Sequence, residues 1–272
     1  MARGAAPGAA VAVAVDGKIV WSEAFGEVEP DTRFGIGSIS KALTLAAAMR
    51  LVDEGRLDLD APVERYLPDW PHAGRGITVR RIAAHQSGLA DAFADQHYNS
   101  TAHFPDLDSA YRHIRNERLV YPPGTSSVYA TGLFTIVGRV LEKVVGEPYP
   151  GLMRRLVFQP ASMTRTVPND PRHSPPDRAR FYVRTGGKVQ LAAAVDPSFK
   201  LPGAGFLSTA EDMARFGAAL LRPGFLSPGA RGEMFRPVPL TDGTATIYAL
   251  GFQSLQEEGR RVLLQPGGGL GI

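Results

Sequence analysis

Gly35-Ile36-Gly37-Ser38-Ile39-Ser40-Lys41 is the stretch on which the fold of this chain turns. A serine and a lysine three residues apart open a long apolar run. That run carries Leu45, Met49 and Val52 at helical spacing and stops at Gly55. Residues three apart share a helix face. The spacing therefore predicts the Ser38 hydroxyl beside the Lys41 amine, one turn apart. A serine hydroxyl is a weak nucleophile until a base takes its proton. A lysine can be that base only where burial or a neighbouring cation lowers its pKa. S-x-x-K on its own also describes a helix start beside a solvated lysine, so the rest of the chain has to decide.

Working outward, Ala9 to Val15 alternates Ala and Val, Asp16-Gly17 supplies a hairpin turn, and Lys18 to Phe25 reads as the partner strand. That reading accounts for the N-terminus better than an export signal, in which Arg3 would be the charged region and Ala9 to Val15 a short apolar one. Ile77 to Ala84 predicts a short helix opened by Thr78, followed by the loop His85-Gln86-Ser87-Gly88-Leu89. Residues 91–108 lack periodicity and read as irregular, and Tyr111 to Leu119 as helical. Thr131 to Val145 predicts a strong helix, with Phe134, Val137, Leu141 and Val144 on one face and Gly146 after it. Ser208-Thr209-Ala210-Glu211 reads as a capping box with Ser208 at the cap, opening a helix to about Leu221. Strands are expected at Ile247 to Phe252 and Arg261 to Gln265.

The 272 residues suffice for one large domain with a sizeable core. There is no cysteine, which excludes disulfides, thiolate nucleophiles and cysteine metal sites. The net charge of +3 comes from scattered arginines, not from a basic stripe with interleaved aromatics, so a nucleic-acid partner is not expected. No run is long and apolar enough to span a bilayer. With no export signal evident, the cytoplasm is the expected compartment. There is no G-x-S-x-G elbow and no H-E-x-x-H, which counts against an α/β-hydrolase and against that class of zinc hydrolase.

Three features fall in one order: Ser38-x-x-Lys41, then Val128-Tyr129-Ala130-Thr131 before the second strong helix, then Gln265-Pro266-Gly267-Gly268-Gly269 near the end. In this order, and in supporting stretches such as Asp58 to Val63, Ile77 to Leu89 and Gly203 to Phe216, the chain resembles the serine β-lactamase and penicillin-binding-protein superfamily. The likeness is to its class C-related branch, with the family VIII carboxylesterases, D-amino-acid-releasing peptidases and the mitochondrial serine β-lactamase-like protein. The resemblance implies an α+β, β-lactamase/transpeptidase-like fold, an antiparallel sheet flanked by helices. It implies a single unit over 1–272, with an α/β lobe from 1–60 and 201–272 and a mostly helical lobe from 61–200. Ser38 would be the acylated nucleophile, and Lys41 and Tyr129 the candidates for general base, the tyrosine as a phenolate favoured by nearby positive charge. The backbone N–H groups of Ser38 and Gly268 would form the oxyanion hole. Thr131, Gln265, Gly267 and Gly269 would line the substrate. His85 falls in a structural H-x-S-G-L loop of the family, although alone it would invite a Ser–His pairing. No cofactor and no metal are implied.

Three departures shape the expected substrate. Thr131 stands where the family usually has Asn, and keeps a hydroxyl but no amide. Gln265-Pro266-Gly267 replaces Lys-Thr-Gly or His-x-Gly, which removes the cation and the hydroxyl that help hold a substrate carboxylate. The family pattern also continues past this motif with strands and a closing helix, and has a helix before Pro7. A sheet without these elements would expose an edge and an apolar face, which self-association would cover. The expectation is therefore hydrolysis of short-chain esters through a Ser38 acyl-enzyme. The alternatives are a serine peptidase or β-lactamase acting on a peptide or lactam, and a truncated, catalytically silent binding module.

Overall fold

The computed structural model describes residues 6–270. β1 (Gly8–Val15) and β2 (Lys18–Gly26) form the expected antiparallel hairpin, with a bulge between Val13 and Ala14. Asp16 and Gly17 both adopt left-handed φ, +50° and +81°, the backbone that a two-residue primed turn demands. The alanines of β1 form a half-buried row, and their small size lets helix α8 (Ala210–Leu221) lie close against the hairpin. On the opposite face Val11, Val13, Trp21 and Phe25 are exposed, Trp21 by 43 %.

β3 (Phe34–Gly35) leads into the nucleophile region. It pairs antiparallel with β7 (Phe206–Ser208), which pairs on its other side with β4 (Val167–Pro168). Two further antiparallel hairpins are β5 (Tyr182–Thr185) with β6 (Lys188–Leu191), and β8 (Gln253–Glu257) with β9 (Arg260–Leu264). No strand forms over the expected Ile247 to Phe252, where Tyr248 makes only an isolated bridge to Gln253. There Ala249 N–H donates to Phe252 O and closes a tight turn, and the strand begins only after it, at Gln253.

Helix α1 (Ser40–Asp53) runs through the core. Its apolar residues are buried on nearly every side, with Ala46, Ala47 and Ala48 fully enclosed. Apolar residues therefore occur all round it, as a helix with neighbours on nearly every side requires. Thr44 fastens it. The hydroxyl lies 2.6 Å from the Tyr149 hydroxyl and donates to Pro202 O at 2.6 Å. These contacts tie α1 to α6 (Tyr149–Met153) and α7 (Leu201–Ala204).

The other helices correct the sequence boundaries for local reasons. Thr78 caps α2 (Val79–Ala83) as expected. Residues 91–108 are not wholly irregular, because α3 (Ala92–His97) forms within them. α4 spans Leu107–Ile114 rather than Tyr111 to Leu119. Asp106 accepts the Ser109 N–H and starts the helix early, while Leu119 is drawn into a bridge with Leu89. α5 (Phe134–Val145) begins three residues later than expected because Asp91 engages the Thr131 and Gly132 N–H groups. Thr209, not Ser208, caps α8 and accepts the Asp212 N–H, since Ser208 already belongs to β7. α9 (Pro228–Met234) packs on α1. Among the described residues no helix is long and apolar enough to cross a membrane.

Candidate active site

Ser38 does not lie in α1 itself. It sits in a single tighter turn, Gly37–Ile39, that precedes it. The expected pairing with Lys41 still forms, since the chain enters the helix without a break: Lys41 Nζ lies 3.0 Å from Ser38 Oγ. The ammonium or amine also reaches Thr131 Oγ1 at 3.1 Å and Gly203 O at 3.0 Å. Thr131 therefore takes up the lysine contact through its hydroxyl where an Asn amide was lost. The Lys41 side chain is completely buried. Burial lowers its pKa to about 7, with the Lys200 charge pushing the same way and Asp91 opposing both.

Tyr129 brings its ring to 4.8 Å from Lys41 Nζ. Its phenol, however, is pushed above its ordinary value of 10, chiefly by burial, while the Ser38, Gln265 and Thr131 side chains around it pull the other way. The phenolate expected from the sequence is thus disfavoured. With its pKa near 7, Lys41 is only half protonated at neutral pH, so the positive charge that would hold a phenolate is halved. Near pH 7 a neutral Lys41 amine is available to accept a proton, while Tyr129 keeps its phenol proton.

His85 is 6 % exposed and adopts a left-handed φ of +61°. Its Nδ1 accepts the Ala130 N–H at 3.2 Å, so the neutral ring carries its proton on Nε2. The ring packs against Tyr129 and Tyr248 at centroid distances of 4.4 and 4.9 Å. Burial, with help from Lys41, lowers its pKa to about 3. It is a wall of the site.

The third motif meets Ser38 from the far end of the chain. Gln265 Nε2 donates to Ser38 O at 3.1 Å and to Pro266 O at 3.0 Å, so its amide is engaged with backbone. A Cβ on Gly267 would lie 2.0 Å from Ile36 O, and one on Gly37, whose φ is +50°, would lie 2.6 Å from Gly268 N and O. Only glycines permit this backbone-to-backbone approach. Gly269 follows on the same segment.

Two site residues escaped the sequence reading. Asp91 Oδ2 accepts the N–H groups of Thr131 and Gly132, at 2.6 and 3.1 Å, and so sets the hydroxyl that Lys41 touches. Burial raises its pKa. An aspartate followed by a new helix was the signal available. Gly203 contributes a backbone carbonyl, for which no sequence signal exists. Among the described residues no group of three or more His, Asp or Glu side chains is placed to hold a metal ion.

The sequence model of the family described as Beta-lactamase matches residues 1–272. The chain belongs to the Beta-lactamase family. Its α+β fold is that of the β-lactamase and penicillin-binding proteins. The mitochondrial serine beta-lactamase-like protein LACTB of Homo sapiens is 28% identical, with 87% of this chain and 60% of LACTB covered. Esterase EstB of Burkholderia gladioli is 28% identical, with 80% of this chain and 67% of EstB covered. A solved D-stereospecific amidohydrolase from Streptomyces is 29% identical with a TM-score of 0.79, covering 97% of this chain and 83% of its own. The chain spans about 60% of the length of LACTB.

Proposed function

We propose that this family member is a serine hydrolase that cleaves short-chain carboxylic esters through a Ser38 acyl-enzyme. One observation carries the reading: a fully buried lysine, its pKa lowered to about 7, stands 3.0 Å from a serine hydroxyl. In the proposed reaction Ser38 Oγ forms a bond to the ester carbonyl carbon and its proton passes to Lys41 Nζ. The carbonyl oxygen becomes an oxyanion that the Ser38 and Gly268 N–H groups would receive. The carbonyl carbon then loses the alkoxide, which leaves as the alcohol with a proton relayed from Lys41 through the Tyr129 hydroxyl. Water repeats the sequence on the acyl-enzyme and releases the acid. Thr131, Gln265, Gly267 and Gly269 line the substrate path in this reading.

The preference for an ester rests on the third motif. Gln265 is neutral and tied to Ser38 O, and Pro266 has no hydroxyl, so the motif itself offers no cation to a peptide or lactam carboxylate. The name of EstB agrees. A D-amino-acid amide is the second reading, favoured by the Streptomyces amidohydrolase, which aligns with 97% of the chain. The exposed Val11, Val13, Trp21 and Phe25 support self-association, which light scattering reads directly.

The test is hydrolysis of p-nitrophenyl butyrate, a D-phenylalanine amide and a chromogenic cephalosporin by the chain and by Ser38→Ala. Ester turnover lost in the variant is the expected result. Turnover of the amide or cephalosporin alone would replace the substrate class. Absence of all turnover, together with no fluorophosphonate labelling of Ser38, would leave a binding module.

A further inference from the structure

Lys200 is a second buried lysine, 6 % exposed, and the motifs give it no role. Its Nζ donates to Tyr98 O at 3.2 Å and lies 3.5 Å from the centroid of the Tyr98 ring, within cation–π range. The Tyr98 hydroxyl in turn donates to Gly268 O at 3.3 Å. Lys200 stands immediately before α7, and three residues on, Gly203 O accepts from Lys41 Nζ. The segment is pinned to α5, because Thr135 Oγ1 donates to Phe199 O at 2.6 Å. One short piece of backbone thus reaches the proposed base through Gly203 and the proposed oxyanion donor through Lys200 and Tyr98.

We propose that Lys200 is a positioning residue of the Ser38 site, acting on Gly268 through Tyr98 and on Lys41 through its charge. The inference rests on the Ser38 hydrolase reading. Burial lowers the pKa of Lys200 to about 8, so it is largely charged where Lys41, near 7, titrates. The ionisable groups around the two lysines are few. Asp91, at the start of α3, attracts both. His85 is held neutral. Tyr129 is protonated. His97 on α3 lies edge-on to Phe199, Asp196 is taken up by His103 and the Ser198 N–H, and Glu117 accepts the Phe93 N–H beyond Asp91. Of the groups around Lys41, Lys200 is the like charge that favours its neutral amine.

The experiment is the pH profile of kcat/KM for p-nitrophenyl butyrate, with kcat and KM separated, in the wild type, Lys200→Met and Tyr98→Phe. Removal of the Lys200 charge should let Lys41 hold its proton to higher pH. The acid limb should move up by about half a pH unit, roughly threefold in rate at pH 6. Tyr98→Phe keeps the ring under the ammonium and loses only the hydroxyl bond to Gly268. It should lower kcat about fivefold with KM unchanged and the limb in place. A folded Lys200→Met with an unmoved limb, or Tyr98→Phe with wild-type kcat, overturns the inference. If Lys200→Met does not fold, Lys200→Gln keeps a donor toward the Tyr98 carbonyl without the charge and carries the same two outcomes. A wild type without Ser38-dependent turnover would instead remove the underlying reading.

Discussion

Lys41→Met should abolish turnover and yet make the protein more stable, by an amount that depends on pH. The ordinary lysine value is 10.5, and in the folded chain it is about 7. Since the folded value lies below the unfolded one, the penalty of holding a charged amine in the core is fully present below pH 7. It is relieved as pH rises from 7 towards 10.5. At ~1.4 kcal/mol per pH unit, the penalty is about 5 kcal/mol at pH 6 and about 2 kcal/mol at pH 9. Methionine fills a similar volume without charge, but leaves Thr131 Oγ1 and Gly203 O without the Lys41 donor. That loss costs about 2 kcal/mol in all. The variant should therefore exceed the wild type by about 3 kcal/mol at pH 6 and match it near pH 9. Urea unfolding of both proteins at the two pH values, compared at equal slope, measures the difference, and titrating groups remote from Lys41 cancel. A stability gap that is the same at pH 6 and pH 9 would refute the reasoning, because it would mean that Lys41 keeps an ordinary pKa.

Asp91→Asn retains an acceptor for the Thr131 N–H but removes the charge that raises the Lys41 pKa, so the acid limb of kcat/KM should move to lower pH; an upward move would contradict the electrostatics. His85→Asn tolerates the left-handed backbone and loses the packed ring, so calorimetry should show a loss of about 1–3 kcal/mol with the rate within about tenfold of wild type. Complete inactivation of a folded His85→Asn protein would make the histidine chemical after all. Gly267→Ala should lower kcat by about tenfold or more, because its methyl group collides with Ile36 O and displaces Gly268; unchanged kinetics would show that this backbone approach is not needed.

The parts of the site that are local in sequence were the legible ones. Ser38 and Lys41 meet because three residues set their separation, and Asp16-Gly17 fixes a turn by its own φ preferences. What escaped depends on distant partners. Asp91 delays the start of α5 by binding N–H groups 40 and 41 residues away. Ser208 loses the cap to Thr209 because a strand claims it first. The charge state of Tyr129 could not be read either, since its own burial and the side chains around its hydroxyl decide it. Lys200 likewise gives no local sign of burial, because its partner Tyr98 lies 102 residues away.

The close meeting of Gly37 with Gly268 and of Ile36 with Gly267 carries a consequence for the order of events in synthesis. The hairpin, α1 and the Ser38–Lys41 pair are all made within the first 53 residues, yet the segment that closes over Ser38 is more than 200 residues downstream. A ribosome-bound chain therefore carries its serine long before it has the glycine-rich backbone that meets it, and with it the proposed oxyanion donor. In refolding, the proposed Ser38-dependent turnover should return later than helical signal, as a report that the two distant stretches have found each other.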